Sequence, residues 1–336
     1  MTRQPTLSRR RAITIIAGTA GLPLLGSDRA APAALALYSW NGTSLGSPAR
    51  LRLYHTDRAA AAAVVARCAA EIARLERVFA LYRDDSELAR LNRDGQLPTP
   101  SQDLRLVLAE SLRLAELSGG AFDVTVQPLW DLYARHFFGR EQPDPSGPPA
   151  RAVAAGLALV GWRRVEISAR QAALARRGMG LTLNGIAQGY VADRIAGILR
   201  DAGCNRVLAD LGCSELFALG RHPDGRAWRV GLVDPRQPDR FARVLDLGDG
   251  ALCTSGGYGT KFEPTGRFHH LFDTATGVSA GHYIGVSVFA PSAMIADALS
   301  TALYVTPPAS GARILADYPD ASALLTLPDG TSVWRS

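Results

Sequence analysis

Apolar and polar positions alternate along several short stretches of the chain and recur every three to four residues along others. LRLYHT, Leu51 to Thr56, has the period of two of a half-buried strand. Asp57 to Tyr82 follows, a long helical pattern with Asp57 placed as an N-cap. DDSELARLN reads as a turn and a short helix. Ser101 to Gly119 reads as another helix, closed by Gly119 and Gly120. A Pro-rich loop covers about 141–149, then RAVAAGLALVGW reads as a helix and RRVEIS as a strand. Gly180 to Gly203 passes from strand through a Gly-containing turn into a helix. NRVLADLGCSELFALG reads as strand, turn, strand. WRVGLVDP, RVLDLGDGALCTSG, FHHLFDTATG and VSVFAPS continue the β pattern. Helices over Ile295–Leu303 and ARILADYP precede a final hairpin, SALLTL and TSVWRS. Early helices and later strands, with some alternation, predict a mixed α+β class.

The N-terminus breaks this pattern. SRRRAIT, Ser8 to Thr14, leads into a weakly apolar run ending near Ala34-Leu35-Ala36. This is the layout of a twin-arginine export signal over 1–36, with the folded domain over 37–336. That leader carries five Arg and one acid, so without it the formal charge falls from +6 to +2. The basic balance is then largely a leader property and gives no case for nucleic-acid binding. No run approaches the roughly 18 apolar residues of a membrane helix. The four cysteines have no metal-ligand spacing and read as buried thiols, with one disulfide left open.

Standard nucleotide and hydrolase motifs are missing: no G-x-x-x-x-G-K-[ST], no well-placed G-x-G-x-x-G, no G-x-S-x-G, no H-E-x-x-H. Four other segments gather chemistry. GGAFDVTVQPLWDLY carries Phe122 and Asp123 on a glycine turn beside Trp130 and Tyr133, which suits a planar ring; a helix C-cap followed by core aromatics explains it equally. LNGIAQGYVAD places Gly185 and Gly189 at a helix start, where backbone amides favour an anion. TSGGYGTKFEPTGRFHHLFDTATG gathers hydroxyls, the single lysine Lys261, and His269 and His270, of which only one can face a site on an extended chain. In IADALSTAL, Asp297 and Thr301 share one face of an apolar helix. Hard oxygens of that kind suit Mg²⁺; local capping and back-bonding would also account for them.

Together these segments, in this order from about Trp40 onward, resemble the ApbE family, the FAD:protein FMN transferases. FALYRDDSELARLN, TSGGY and HHLFDTATG add to the match. The LNGIAQGY form and the twin-arginine leader look most like the exported subset serving nitrous oxide reductase maturation. The resemblance implies a T-fold-like, two-lobed single catalytic domain with mixed sheets and flanking helices. It implies Mg²⁺ held by the backbone carbonyl of Ala187 with Asp297 and Thr301. It places Tyr82, Ala121, Phe122, Asp123, Thr182, Gln188, Ser255 and Gly256 at the FAD, and His270 at both the nucleotide and the chemistry. The implied reaction moves FMN from FAD to a threonine of a partner, releasing AMP. The partner would be a membrane flavoprotein of an electron-transfer pathway, and the location periplasmic. A Mg²⁺-dependent FAD pyrophosphatase and a flavin-binding protein without turnover are the alternatives. The chain departs from the family at Gln188 (commonly Lys), Thr182 (frequently Asp) and Thr274 (Pro), with Lys261 the one candidate to replace the missing charge.

Overall fold

The computed structural model describes residues 34–237 and 239–336, with the three-residue strand β1 (Ile13–Ile15). Most of the expected leader lies outside the described residues. The chain continues through β2 (Ala36–Ser44), β3 (Ser47–His55), α1 (Arg58–Phe79), α2 (Glu87–Asp94), β4 (Gln96–Pro98), α3 (Gln102–Leu117) and α4 (Gln127–Phe138). Then come α5 (Ala150–Leu157), β5 (Val165–Ile167), β6 (Gln171–Leu174), α6 (Ala187–Asp201), β7 (Arg206–Asp210) and β8 (Glu215–Gly220). The last part holds β9 (Trp228–Val233), β10 (Phe241–Leu247), β11 (Gly250–Ser255), β12 (Gly285–Ala290), α7 (Ala293–Val305), α8 (Pro308–Ala316), β13 (Ser322–Thr326) and β14 (Ser332–Arg335). Among the described residues no helix is long and apolar enough to cross a membrane.

An eight-stranded antiparallel sheet, in the order β14-β13-β12-β11-β8-β7-β3-β2, is the frame. Its central strands β7, β8, β11 and β12 are apolar at most positions because both faces are covered, with polar residues such as Asp210, Glu215 and Ser255 at strand ends. Val207, Ala209, Phe217, Leu219 and Cys253 point to the main core, packed under α1, α6 and α7. Leu208, Leu216, Ala218 and Leu252 point the other way, against Trp228, Val230 and Leu232 of β9. A separate aromatic cluster forms the second lobe: Tyr133 and Phe137 of α4 pack on Phe262, Phe268 and Phe272. The mixed α+β layout agrees with the expected fold class.

Local chemistry explains the boundaries. Asp57 caps α1 by accepting from the amides of Ala59 at 2.7 Å and Ala60 at 3.1 Å. One buried stripe of that helix, Val64, Cys68, Ile72, Leu75 and Phe79, recurs at helical spacing. α7 is buried nearly all round, and its N-terminus is capped from α6. Asp193 accepts from Ser292 Oγ and from the amides of Ala293 and Met294 at 2.6–3.0 Å. That fastens the two helices together at one end.

Two local expectations fail, and one helix went unread. FHHLFDTATG forms only isolated bridges, Lys261 with His269 and Phe272 with Ser279, because its backbone groups are taken by loop side chains such as Ser279 Oγ. The stretch before LNG is extended but not a strand. Its Leu181 amide and carbonyl bond to the side chain of Asn92 at 2.7 and 2.8 Å, an amide imitating a neighbouring strand. Residues 127–138 form α4, where aromatic crowding hid the helical period. The four cysteines are buried and free, in keeping with the thiol reading.

Candidate active site

The site is built on the seam between α6 and α7. Gly185 and Gly189 bracket the turn into α6, and both press on α7 with no room for a side chain. A Cβ on Gly189 would lie 2.2 Å from the carbonyl oxygen of Ala293 and 2.7 Å from Cβ of Asp297. A Cβ on Gly185 would lie 2.9 Å from Thr301 Oγ1. Thus Asp297 and Thr301 of α7 meet Gly189 and Gly185 at the start of α6, one against each. The Gly189 amide donates to Asp297 Oδ2 at 3.0 Å instead of to the carbonyl four residues earlier. That earlier carbonyl belongs to Gly185 and takes no backbone hydrogen bond among the described residues.

Asp297 is 3% exposed on an otherwise apolar helix, yet lines a cleft of about 640 Å³. Thr301 lines the same cleft, with its hydroxyl 3.0 Å from Ser255 Oγ. Ser255 also meets Ser300 at 2.8 Å, and Tyr304 receives the Gly257 amide at 3.2 Å. Positions 297, 300, 301 and 304 therefore present one polar face to the end of β11 and the TSGG loop.

The opposite wall consists of loops. Gly119 and Gly120, at φ 65° and 88°, end α3 and turn the chain so that Ala121, Phe122 and Asp123 reach the cleft. The Asp123 carboxylate accepts from Thr125 N and Oγ1 and from the Trp162 amide at 2.6–2.9 Å. Burial pushes its pKa up, against those hydrogen bonds. Thr274, where the family pattern has Pro, donates to the Gly120 carbonyl at 2.7 Å and so ties the 269–277 loop to this turn.

The two adjacent histidines part company. His270 lines the cleft, with Nδ1 3.2 Å from the Thr260 carbonyl. A carbonyl only accepts, so Nδ1 carries the proton and Nε2 the lone pair of the neutral ring. His269 is buried instead. Its Nε2 donates to the Ala280 carbonyl at 3.0 Å, and burial pulls its pKa down to about 4.

Of the expected residues, Tyr82, Ala121, Phe122, Asp123, Thr182, Gln188, Ser255, Gly256, His270, Asp297 and Thr301 all line this one cleft. Ala187 does not. It is 2% exposed and is the first residue of α6, so its carbonyl belongs to the helix ladder; Gly185, two positions earlier, forms the wall. Lys261 is absent from the lining too, so it does not stand in for a lysine at Gln188. Two turns were missed as site elements: Leu45 to Pro48, and Gly212 to Glu215. Leu45 and Cys213 adopt left-handed φ values of 46° and 74°, uncommon for residues with a Cβ. Only Gly46 and Gly212 hinted at these turns in the sequence. A second hollow of about 670 Å³ lies behind α4 and holds none of the expected residues.

The lining includes three carboxylates, Asp123, Glu215 and Asp297, and no Lys or Arg. An anionic ligand here needs a cation to balance it. Hard oxygens from Asp297, Thr301 and the Gly185 backbone form a donor set that fits Mg²⁺.

Fold and site together define a mixed α+β protein with a nucleotide-sized cleft walled by a glycine turn and by the Asp297 helix. The chain belongs to the ApbE family, whose sequence profile matches residues 45–325. A Treponema pallidum protein named FAD:protein FMN transferase is 33% identical over 313 residues, covering 87% of this chain and 85% of its own. An Escherichia coli K12 protein of the same name is 30% identical over 250 residues, 71% and 70% of the two chains. The solved flavin transferase ApbE from Vibrio cholerae superposes with a TM-score of 0.76 at 24% identity, over 90% of this chain and 97% of its own. The Pseudomonas stutzeri flavinyl transferase ApbE gives 0.73 at 26% identity, over 90% and 96%.

Proposed function

We propose that this protein transfers FMN from FAD to a threonine hydroxyl of an acceptor protein and releases AMP, with Mg²⁺ as cofactor. The observation that carries the reading is the α6–α7 seam, which sets Asp297, Thr301 and the Gly185 turn into a cleft lined by no Lys or Arg. The relatives named FAD:protein FMN transferase supply the substrate class.

The chain's own residues divide the work as follows. Asp297, Thr301 and the Gly185 backbone would hold Mg²⁺, and the ion would neutralise the charge that grows on the pyrophosphate oxygens as the bond breaks. His270 Nε2 takes the proton of the attacking hydroxyl while the Thr260 carbonyl keeps the ring oriented through Nδ1–H. The hydroxyl oxygen bonds to the phosphorus of the FMN half. The bond from that phosphorus to the bridging oxygen breaks, and AMP leaves with it. Phe122, Trp130 and Tyr82 supply apolar surface for the rings.

The acceptor is expected to be a membrane flavoprotein of an electron-transfer pathway, and the site of action the periplasm, reached by the twin-arginine route. The support is the Ser8–Thr14 segment and the small-residue run after it. Incubation with FAD, Mg²⁺ and a threonine-bearing acceptor should add one FMN mass to the acceptor and produce equimolar AMP. Asp297→Asn should lower that rate by about 10²–10³-fold, the cost of losing one positioned electrostatic group. AMP and free FMN appearing with FAD alone, at the rate seen with acceptor, would replace transfer by hydrolysis. FAD left intact with a well-folded acceptor would reduce the protein to a flavin carrier.

A further inference from the structure

At one end of the cleft, two buried polar side chains converge that the phosphate chemistry does not use. Glu215 opens β8 and is 4% exposed; Gln188 lies in the first turn of α6 and is 3% exposed. Both line the cleft. They come from opposite sides onto Gly212, where a Cβ would fall 2.0 Å from Glu215 Oε2 and 2.3 Å from Gln188 Nε2. Only a glycine leaves space for these head groups to meet. Ser214 Oγ donates to Glu215 Oε1, and Gln188 Nε2 donates to the Ser44 carbonyl at 3.5 Å. The turn itself is held from below. Asp210 Oδ1 accepts from the Cys213 amide at 2.8 Å, and Cys213 Sγ sits 3.8 Å from the Pro48 carbonyl, joining this turn to the β2–β3 hairpin. Cys213 keeps its left-handed backbone in this network, a conformation the surrounding structure must impose.

A carboxylate oxygen beside an amide N–H is an acceptor next to a donor. The pair suits a heterocycle whose edge shows an N–H next to a lone pair, whereas its carboxylate would repel a phosphate. Both rings of FAD have such an edge: the amino group of adenine beside a ring nitrogen, and the imide N–H of the flavin beside a carbonyl. We propose that Glu215, aligned by Ser214 and accompanied by Gln188, is the ring-reading residue of the cleft and accepts an N–H from one heterocycle of FAD. This rests on the reading that the cleft binds FAD, and it gives Gln188 a role where the family pattern has a cation.

The test measures dissociation constants by flavin fluorescence without acceptor. The ligands are FAD and two analogues that each lack the N–H donors of one ring edge: one methylated at the flavin imide nitrogen, one dimethylated at the adenine amine. Wild type should bind one analogue about 10-fold or more weaker than FAD, since a site built to pair a donor rejects the ligand without it. That analogue names the ring. Glu215→Gln should bind FAD about 10-fold weaker than wild type, yet bind that same analogue about as wild type does. KM for FAD should rise with kcat little changed. The proposal is overturned if wild type binds both analogues as tightly as FAD, or if Glu215→Gln binds FAD as wild type does. Should Glu215→Gln fail to fold, the two analogues on wild type still decide. No FAD binding by wild type at all would overturn the nucleotide reading along with this one.

Discussion

The two long walls of the cleft are held by different forces. On the α6–α7 side, backbone lies against backbone: Gly185 and Gly189 touch α7 directly, and Asp297 accepts from a main-chain amide. On the other side, loops are tied by side chains: Thr274 to Gly120, Asp123 to Thr125 and Trp162, His270 to Thr260. The first kind of wall has no slack, because close-packed groups cannot yield without moving a helix. The second can lose one tie and keep its course. On the proposed reading, rigid geometry falls where the oxygen ligands would converge, and adjustable geometry falls where an acceptor and its hydroxyl would arrive.

Gly189→Ala should break that contrast most sharply. Its new methyl meets backbone at 2.2 Å, so the helices must separate. A loss of more than about 3 kcal/mol is expected in denaturant unfolding, with activity gone. On the loop wall, His270→Asn should leave the melting temperature nearly unchanged and lower kcat by about 10²–10⁴-fold, as removal of a general base does. Equal losses of stability in the two variants would erase the distinction.

Acid stability sharpens it further. His269 is held neutral, with its pKa brought from 6.5 down to about 4 by burial. The unfolded chain therefore binds the extra proton first. Stability contributed by this site is intact above about pH 6.5 and falls as pH drops toward 4, by at most about 3 kcal/mol. Asp210 acts in the opposite sense: burial and then Glu215 raise its pKa to about 7, so its buried carboxyl favours the folded state as pH falls. Comparing wild type with His269→Asn isolates the first contribution, and the variant should show a flatter decline between pH 6.5 and 4. The smallest effect belongs to Thr274→Val, which removes one hydrogen bond to Gly120. It should cost about 1 kcal/mol in thermal unfolding and raise KM for FAD a few-fold, with kcat retained.

How much of the site was legible follows the same division. Asp297 and Thr301 could be paired from sequence because helical spacing puts residues four apart on one face. Gly185 and Gly189 announced a tight turn, but not which carbonyl would face the cleft. That depended on where α6 begins: Ala187 opens the helix and is buried, and Gly185 is the residue that lines the cleft. Between His269 and His270, alternation predicted that only one could face the site. The turn at Gly212–Glu215 was invisible as a binding element, since a strand-turn-strand pattern says nothing about what lies opposite.

From sequence alone the chain determines most of its helices and strands, the cap at Asp57, the family to which its ordered segments belong, and the Asp297–Thr301 pair on α7. These depend on periodicity and short-range hydrogen bonding, which act within a few residues. Tertiary structure alone decided that β3 pairs with β7 and β7 with β8, which carries the 44–48 hairpin to the 211–215 turn and sets Glu215 over Gly212 beside Gln188. The physical reason is distance along the chain. Groups some 30 to 170 residues apart meet only when the sheet register and the helix seam are both formed, and no local pattern encodes that meeting.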